Sequence, residues 1–359
     1  MYRFWILLTL CWLAWLSFLG GIIHQDDVTN PLVALFSLLI GYYIALVLKG
    51  LTKSMLFITM LIAVIAIAIG CIDIVWSGTN ATFGARRWRG AWANPNTYGA
   101  FCVLTMIWMF SLSCKHMTRI LNAPTCSSRS LILLFCVMIE GLSFAGAIGS
   151  QSRTAIWGLG IVVGLAILLS LIGLGTRTPW RAFWFCACLC AAASMTALLV
   201  AAPAIQGRNR IHSGPSIGDA SISHRLNCWH AVINIGIDNP IFGSGWGYLN
   251  EIDQRKNEIG VSDARSAMLN NFSQVFAARG FPSLICMLLI LALPALNLMK
   301  TKVKQTKTIL CILFFLLIQA IVNDVFFSLS LAPVLWGALF YSITQVKRAH
   351  ALTSPGDCR

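Results

Sequence analysis

An all-α, polytopic membrane fold is what this 359-residue sequence predicts, and three observations lead there. The chain is 58% hydrophobic and only 11% charged, with a mean hydropathy of +0.77, outside the range of soluble globular domains. Its apolar residues come in runs of the ~20 needed to cross the hydrocarbon layer as a helix. Those runs are uniformly apolar, without the period-2 alternation of a membrane barrel strand. Ten stretches qualify, at about 4–23, 31–48, 54–75, 97–113, 130–150, 154–174, 182–205, 271–299, 309–328 and 330–346. One long polar interval, 206–270, precedes the last three. The expected architecture is therefore a single integral membrane domain over 1–359, with about ten transmembrane helices and a large helical loop before the last three.

The first apolar run follows Arg3 and has the position of a signal peptide. It is rich in Trp and Phe, and Gly20-Gly21 makes no small-residue cleavage site, so a retained helix is expected. Lysine and arginine in short loops orient such chains. With the N-terminus inside, 15 of the 26 basic residues are cytoplasmic, eight Lys and seven Arg, including Lys300–Lys307. The other 11 face outward and are ten Arg and one Lys, Lys256. Orientation signals have no such preference for arginine. A planar guanidinium forks onto phosphate and keeps its charge when desolvated. The outward arginines thus read as ligand-binding groups, with lipid headgroup anchoring as the alternative for some of them.

The 13 cysteines lie mostly in apolar runs, such as Cys186-Ala-Cys188-Leu-Cys190, where they act as small hydrophobes. Their spacing matches no zinc site, and neither a metal nor any other cofactor is expected.

After the third apolar run the chain reads Arg86-Arg87-Trp88-Arg89-Gly90-Ala91-Trp92-Ala93-Asn94-Pro95-Asn96. Arginines interleaved with tryptophans at a membrane surface make either an interfacial anchor or a clamp on an anionic headgroup. Asn94-Pro95-Asn96 is a turn in which Asn96 can cap the next helix. Further on, Gly149-Ser150-Gln151-Ser152-Arg153-Thr154 makes a tight turn between two apolar helices. An unpartnered arginine in hydrocarbon costs on the order of 2.5–3.5 kcal/mol, so Arg153 is a functional candidate by default. Glu140, mid-helix, poses the same question, and a structural partner is the favoured answer.

Within the long loop, Asp219 or Ser221 can cap a helix reaching about Ile235. Its Ile222, Leu226, Trp229 and Ile233 fall on one face, as on a helix lying at a membrane surface; His224 and Arg225 flank them. Asp238-Asn239-Pro240 ends this helix, and Gly243-Ser244-Gly245-Trp246-Gly247 allows tight turns. From about Ser262 a second helix leads back into the membrane, with Arg265, Leu269 and Ser273 on one face and Asn270 beside it. Asn323-Asp324 interrupts a late apolar run.

Four of these patches together resemble the O-antigen ligase/polymerase superfamily, integral membrane glycosyltransferases of the cell envelope. They are Gly90 through Asn94-Pro95-Asn96; Gln151-Ser152-Arg153; Arg225-x-x-x-Trp229 with Pro240-Ile-Phe-Gly243-Ser-Gly245; and Asn270 through Gln274 to Gly280. The resemblance implies metal-free, inverting glycosyl transfer outside the bacterial inner membrane, from a saccharide on undecaprenyl diphosphate to a saccharide acceptor. It implies that Arg153 and Arg225 hold the donor diphosphate; Arg265 and His224 join them as catalytic candidates. Substrate-binding roles would fall to Arg86, Arg87, Arg89, Asn94, Asn96, Ser152, Trp229, Asn270 and Arg279. Membrane lipids and other polysaccharide assembly proteins are the implied partners, and nucleic acid is not. One departure stands out: the position of the ligases' histidine is occupied by Leu269, which can neither accept nor donate a proton. Arg265, one turn earlier, could fill that space as in the polymerases. A polymerase is therefore expected ahead of a ligase, with His224, His230, Glu258 and Asp263 as other bases. A non-catalytic lipid-linked sugar transporter is the reading from another class. It should show internal repeats and charges spread through helix interiors, and the sequence has neither.

Overall fold

The computed structural model describes residues 2–18, 29–50, 95–122, 127–150 and 152–171, scattered positions between 184 and 195, then 220–245, 247–254, 270–300, 306–322, 325 and 331–353. The described residues form helices α1 (Tyr2–Phe18), α2 (Thr29–Gly50), α3 (Pro95–Asn122), α4 (Ser127–Gly149) and α5 (Arg153–Leu171), and then α6 (Ala220–Asp238), α7 (Tyr248–Gln254), α8 (Asn271–Lys300), α9 (Thr306–Val322) and α10 (Ala332–Thr353). No strand occurs among them. Three helices are long and apolar enough to cross a membrane, Asn96–Leu121, Ser130–Gly149 and Asn271–Met299. Shorter apolar helices occupy Phe4–Leu16, Leu32–Tyr43, Thr308–Ile321 and Ala332–Ile343. The chain is a helical membrane protein. The expected spans at 54–75 and, for the most part, 182–205 lie outside the described residues.

The chain divides into two compact units. One comprises Met1–Lys49, Ser213–Val303 and Leu316–Arg359; the other comprises Gly50–His212 and Lys304–Phe315.

In the second of these, α3 and α4 pack along their length. Met109 and Leu112 meet Cys136 and Ile139, and Cys114 and Met117 meet Leu133 and Val137. Glu140 is buried in this seam, where Ser113 Oγ donates to one carboxylate oxygen at 3.2 Å and Cys190 Sγ to the other. A buried carboxyl group is tolerable when its oxygens are occupied in this way. Ser111 and Thr308 share a hydroxyl–hydroxyl bond of 2.6 Å.

In the other unit, α8 is the post against which α1, α6 and α10 pack. Two prolines, Pro282 and Pro294, lie within it. A proline has no N–H, so each leaves the carbonyl four residues earlier without its helical donor, and in an apolar setting that carbonyl must be satisfied otherwise. At Pro294 the open carbonyl is that of Ile290, and the indole of Trp5 donates to it at 2.9 Å. One face further along α1, Trp12 donates to Ser283, to its carbonyl at 3.1 Å and its hydroxyl at 2.9 Å. Trp5 also packs edge-on against Trp336 and Phe340 of α10, with ring centroids 6.5 and 5.1 Å apart.

Candidate functional site

Two pairs of turns carry the candidate residues, one pair in each unit.

The first pair joins the start of α3 to the α4–α5 turn. Pro95 opens α3, a position where its missing N–H costs nothing. Asn96 therefore stands within the first turn and is not the cap that the sequence suggested. Asn94 and the Arg86, Arg87, Arg89 cluster lie outside the described residues. In the α4–α5 turn, Ser150 Oγ donates to the Ala147 carbonyl at 2.6 Å and accepts from the Ser152 amide at 3.2 Å. Ser152 is fully buried, and its hydroxyl caps α5 by accepting from the Ala155 amide at 3.3 Å. Its hydroxyl thus fixes the helix start, and Arg153 becomes the first helical residue, half-buried. Gly99 is what lets α3 lie against this turn. A β-carbon there would stand 2.5 Å from Ser150 Oγ and 2.9 Å from Ser152 Cβ. The sequence held no signal for this contact.

The second pair joins the turn after α6 to a break in α8. Gly280 adopts φ 74, a left-handed conformation that interrupts the helix. The Phe281 amide leaves the helical ladder and donates to the Pro240 carbonyl at 2.7 Å. Pro282 has no amide hydrogen to offer Ala278. The carbonyls of Ala277 and Ala278 thus stand open, and they accept the amides of Ser244 at 2.7 Å and Gly245 at 3.1 Å. Arg279 is fully buried, and its Nη1 donates at 3.0 Å to the same Ala278 carbonyl. Gly243 and Gly280 both sit at positive φ, and a β-carbon on either would run into backbone, of Ala278–Arg279 and Ile241 respectively. The Gly-Phe-Pro at 280–282 is a signal that could have revealed this break from sequence.

Asn270 caps α8, its Oδ1 accepting from the amides of Phe272 and Ser273 at 3.0 and 3.2 Å, while Ser273 Oγ returns a bond to the Asn270 carbonyl. This corrects the expectation of a continuous helix from Ser262 into the membrane, since a capping residue has left the helical conformation. Arg265 and Leu269 both lie outside the described residues.

Helix α6 runs three residues past the expected Ile235, to Asp238. Gly236 meets the ring of Phe276, and in the turn beyond α6 Ile241 meets Gly280. The face of α6 packed in the protein is Cys228, Val232 and Ile235, while Leu226 and Ile233, of the stripe expected at a membrane surface, are exposed. Trp229 borders the two faces; its indole nitrogen is buried and makes no hydrogen bond among the described residues. Arg225, half-buried, shares the packed face one turn before Trp229. The side chain of His224 lies outside the described residues.

With this geometry in place, comparison with known proteins can be stated. The O-antigen ligase family model matches residues 138–289. Over that span, which is less than half of the 359 residues, the chain is similar to the O-antigen ligase family. No curated protein matches it. The matched span begins in α4 and ends in α8, so it includes both Arg153 and Arg225, the Ser150–Ser152 turn, and the interlocked turns at Gly243–Gly245 and Gly280. The Asn94-Pro95-Asn96 turn precedes the matched span, and Gly99 ties α3 to that span through Ser150 and Ser152.

Proposed function

We propose that this protein is a membrane glycosyltransferase that uses an undecaprenyl-diphosphate-linked saccharide on the periplasmic face of the bacterial inner membrane and extends a cell-surface polysaccharide, as a polymerase does. The acceptor hydroxyl attacks the anomeric carbon on the face opposite the diphosphate. The bond from that carbon to the diphosphate oxygen breaks, the electron pair leaves on the diphosphate, and the hydroxyl proton passes to a base. Arg153 and Arg225 are each assigned to the diphosphate, where charge grows as the bond breaks and a fixed guanidinium fork is most effective. The base is drawn from His224, His230, Glu258 and Asp263, and Arg265 is the group in place of the missing histidine.

The observation that carries this reading is the position of Arg153. A cation at the first residue of a helix opposes the macrodipole, a cost of about 0.3–1 kcal/mol. The same place is suited to an anion, which meets the amides and the guanidinium together. Arg153 falls inside the span matched by a family named for transfer of O-antigen, whose donors are lipid diphosphates in the resemblance set out above. Arg279, fully buried against the Ala278 carbonyl, is better assigned to holding the Gly243–Gly245 turn than to touching substrate.

A second reading, ligation of finished polysaccharide to an acceptor such as a lipid A core, is favoured by the family's description; Leu269 at the histidine position favours polymerisation. Deleting the gene and resolving the envelope polysaccharide on a gel separates them. Material with a single repeat unit supports the polymerase, and free lipid-linked polymer supports the ligase. Unchanged polysaccharide overturns both.

A further inference from the structure

The face that α6 leaves uncovered carries a second message. Leu226, Ile233 and Ile237 recur at spacings of seven and four and form a stripe about 17 Å long at 1.5 Å per residue. The turn that follows adds Ile241 and Phe242. All five side chains are exposed, between 42% and 60%. On one side the stripe borders the packed face, Cys228, Val232 and Ile235; on the other it borders a polar sector of Asn227, Asn234 and Asp238, all exposed. An apolar stripe bounded by a polar sector is the pattern of a helix seated in a membrane interface.

The stripe is also continuous with a surface that a membrane helix must turn to lipid. Gly280 abuts Ile241, and the Phe281 amide is bonded to the Pro240 carbonyl, so Ile241 and Phe242 adjoin Phe281. From Phe281 the exposed face of α8 continues through Ile285, Leu288 and Leu289. The span Asn271–Met299 has 29 residues, about 43 Å of helix, against a hydrocarbon layer of ~30 Å. Its excess is at the polar start, Asn271 to Arg279, which therefore stands in the headgroup layer. That is the part of α8 alongside which α6 runs.

We infer that the stripe Leu226–Ile233–Ile237–Ile241–Phe242 is a docking surface for the phospholipid bilayer, holding α6 in the interfacial layer. Arg225, a quarter-turn from Leu226, is thereby kept at headgroup depth, the depth of a lipid-borne diphosphate. The inference does not depend on the reaction, and its test uses no activity assay.

The full-length protein, carrying a genetically encoded aliphatic diazirine amino acid at Ile233, Ile237 or Ile241 one at a time, is reconstituted in phosphatidylethanolamine–phosphatidylglycerol vesicles and illuminated. Mass spectrometry then reads what the carbene inserted into. Leu288 serves as the lipid reference and Asn234 as the water reference, and each variant is required to elute as a single species before reconstitution. Phospholipid adducts at two or more of the stripe positions, within about threefold of the yield at Leu288, with water adducts at Asn234, are expected. Water adducts along the stripe overturn the inference. So do cross-links to another part of the chain or to a second copy, which make the stripe a protein interface.

Discussion

The amide of Gly245 donates to the carbonyl of Ala278 at 3.1 Å, and Pro282 is the reason that carbonyl is open. Two loops far apart in sequence are thus joined by backbone alone, with glycine at both points of closest approach. Gly280→Ala should lower stability by at least the ~1–2 kcal/mol of a left-handed residue bearing a β-carbon, and more through collision with the Ile241 carbonyl. Gly243→Ala should behave alike. Gly160→Ala and Gly164→Ala, at positions with nothing within 4 Å, should be neutral or stabilising by about 0.5–1 kcal/mol. Unfolding in detergent, read by tryptophan fluorescence, ranks the four. Equal behaviour of both pairs would mean that the interlock is not built as described.

Gly99 and Ser150 offer a coupling test. Gly99→Ala places a β-carbon 2.5 Å from Ser150 Oγ and should displace the turn that sets Arg153. Ser150→Ala removes that oxygen, and with it the bond to Ala147 and the one from Ser152. The double variant should therefore be less damaged than the sum of the singles, by a coupling of about 0.5–3 kcal/mol. Strict additivity in unfolding measurements and in membrane polysaccharide synthesis would remove Gly99 from this role.

Trp5 and Pro294 form a second compensating pair. Trp5→Phe leaves the Ile290 carbonyl without its indole donor, a loss of about 1–3 kcal/mol for a buried acceptor. Adding Pro294→Ala supplies the helical amide that the proline withheld and should recover part of that loss. If Pro294→Ala is as harmful in the Trp5→Phe background as in the parent chain, the carbonyl is satisfied by some other group.

The fold class was legible because membrane insertion is written in length and apolarity, which need no knowledge of packing. The Ser-Arg turn was legible too, because a charged residue between two apolar runs can hardly be elsewhere. What escaped was contact between distant backbones. Nothing at Gly99 announces Ser150, since the partner of a glycine is set by approach distance and not by side-chain type. The packed face of α6 escaped for a related reason. Leu226, Trp229 and Ile233 do share a sector, but Cys228, Val232 and Ile235 make a second apolar face, and periodicity alone cannot say which one packs. Asn270 was read as lying beside one face of a helix running on from about Ser262, where it instead caps the start of α8.

Activity should survive chelation. The proposed stabilisation of the leaving diphosphate comes from guanidinium groups, so incubating membranes with EDTA should leave chain formation intact. Complete loss, restored by a divalent ion, would show that a metal shares the charge.

The sharpest outcome concerns Arg153 and Arg225. If each forks onto the donor diphosphate, lysine in its place keeps the charge and loses the two-pronged geometry. Removing one such donor from a developing anion costs roughly 2.7–4 kcal/mol of transition-state stabilisation, about 10²–10³ in rate. Headgroup anchors behave differently, because lysine serves there almost as well and alanine costs little. Arg255, in the outer loop beside Lys256 and outside the described residues, is the internal control and should tolerate alanine. Polysaccharide chain formation is measured in membranes holding each variant at matched protein level. Normal activity in Arg153→Lys and Arg225→Lys, or equal damage from Arg255→Ala, would sink the assignment. Loss in Arg153→Lys with activity kept in Arg225→Lys would leave the diphosphate to the α5 terminus, where Ser152 fixes the helix start and Arg153 is the first helical residue.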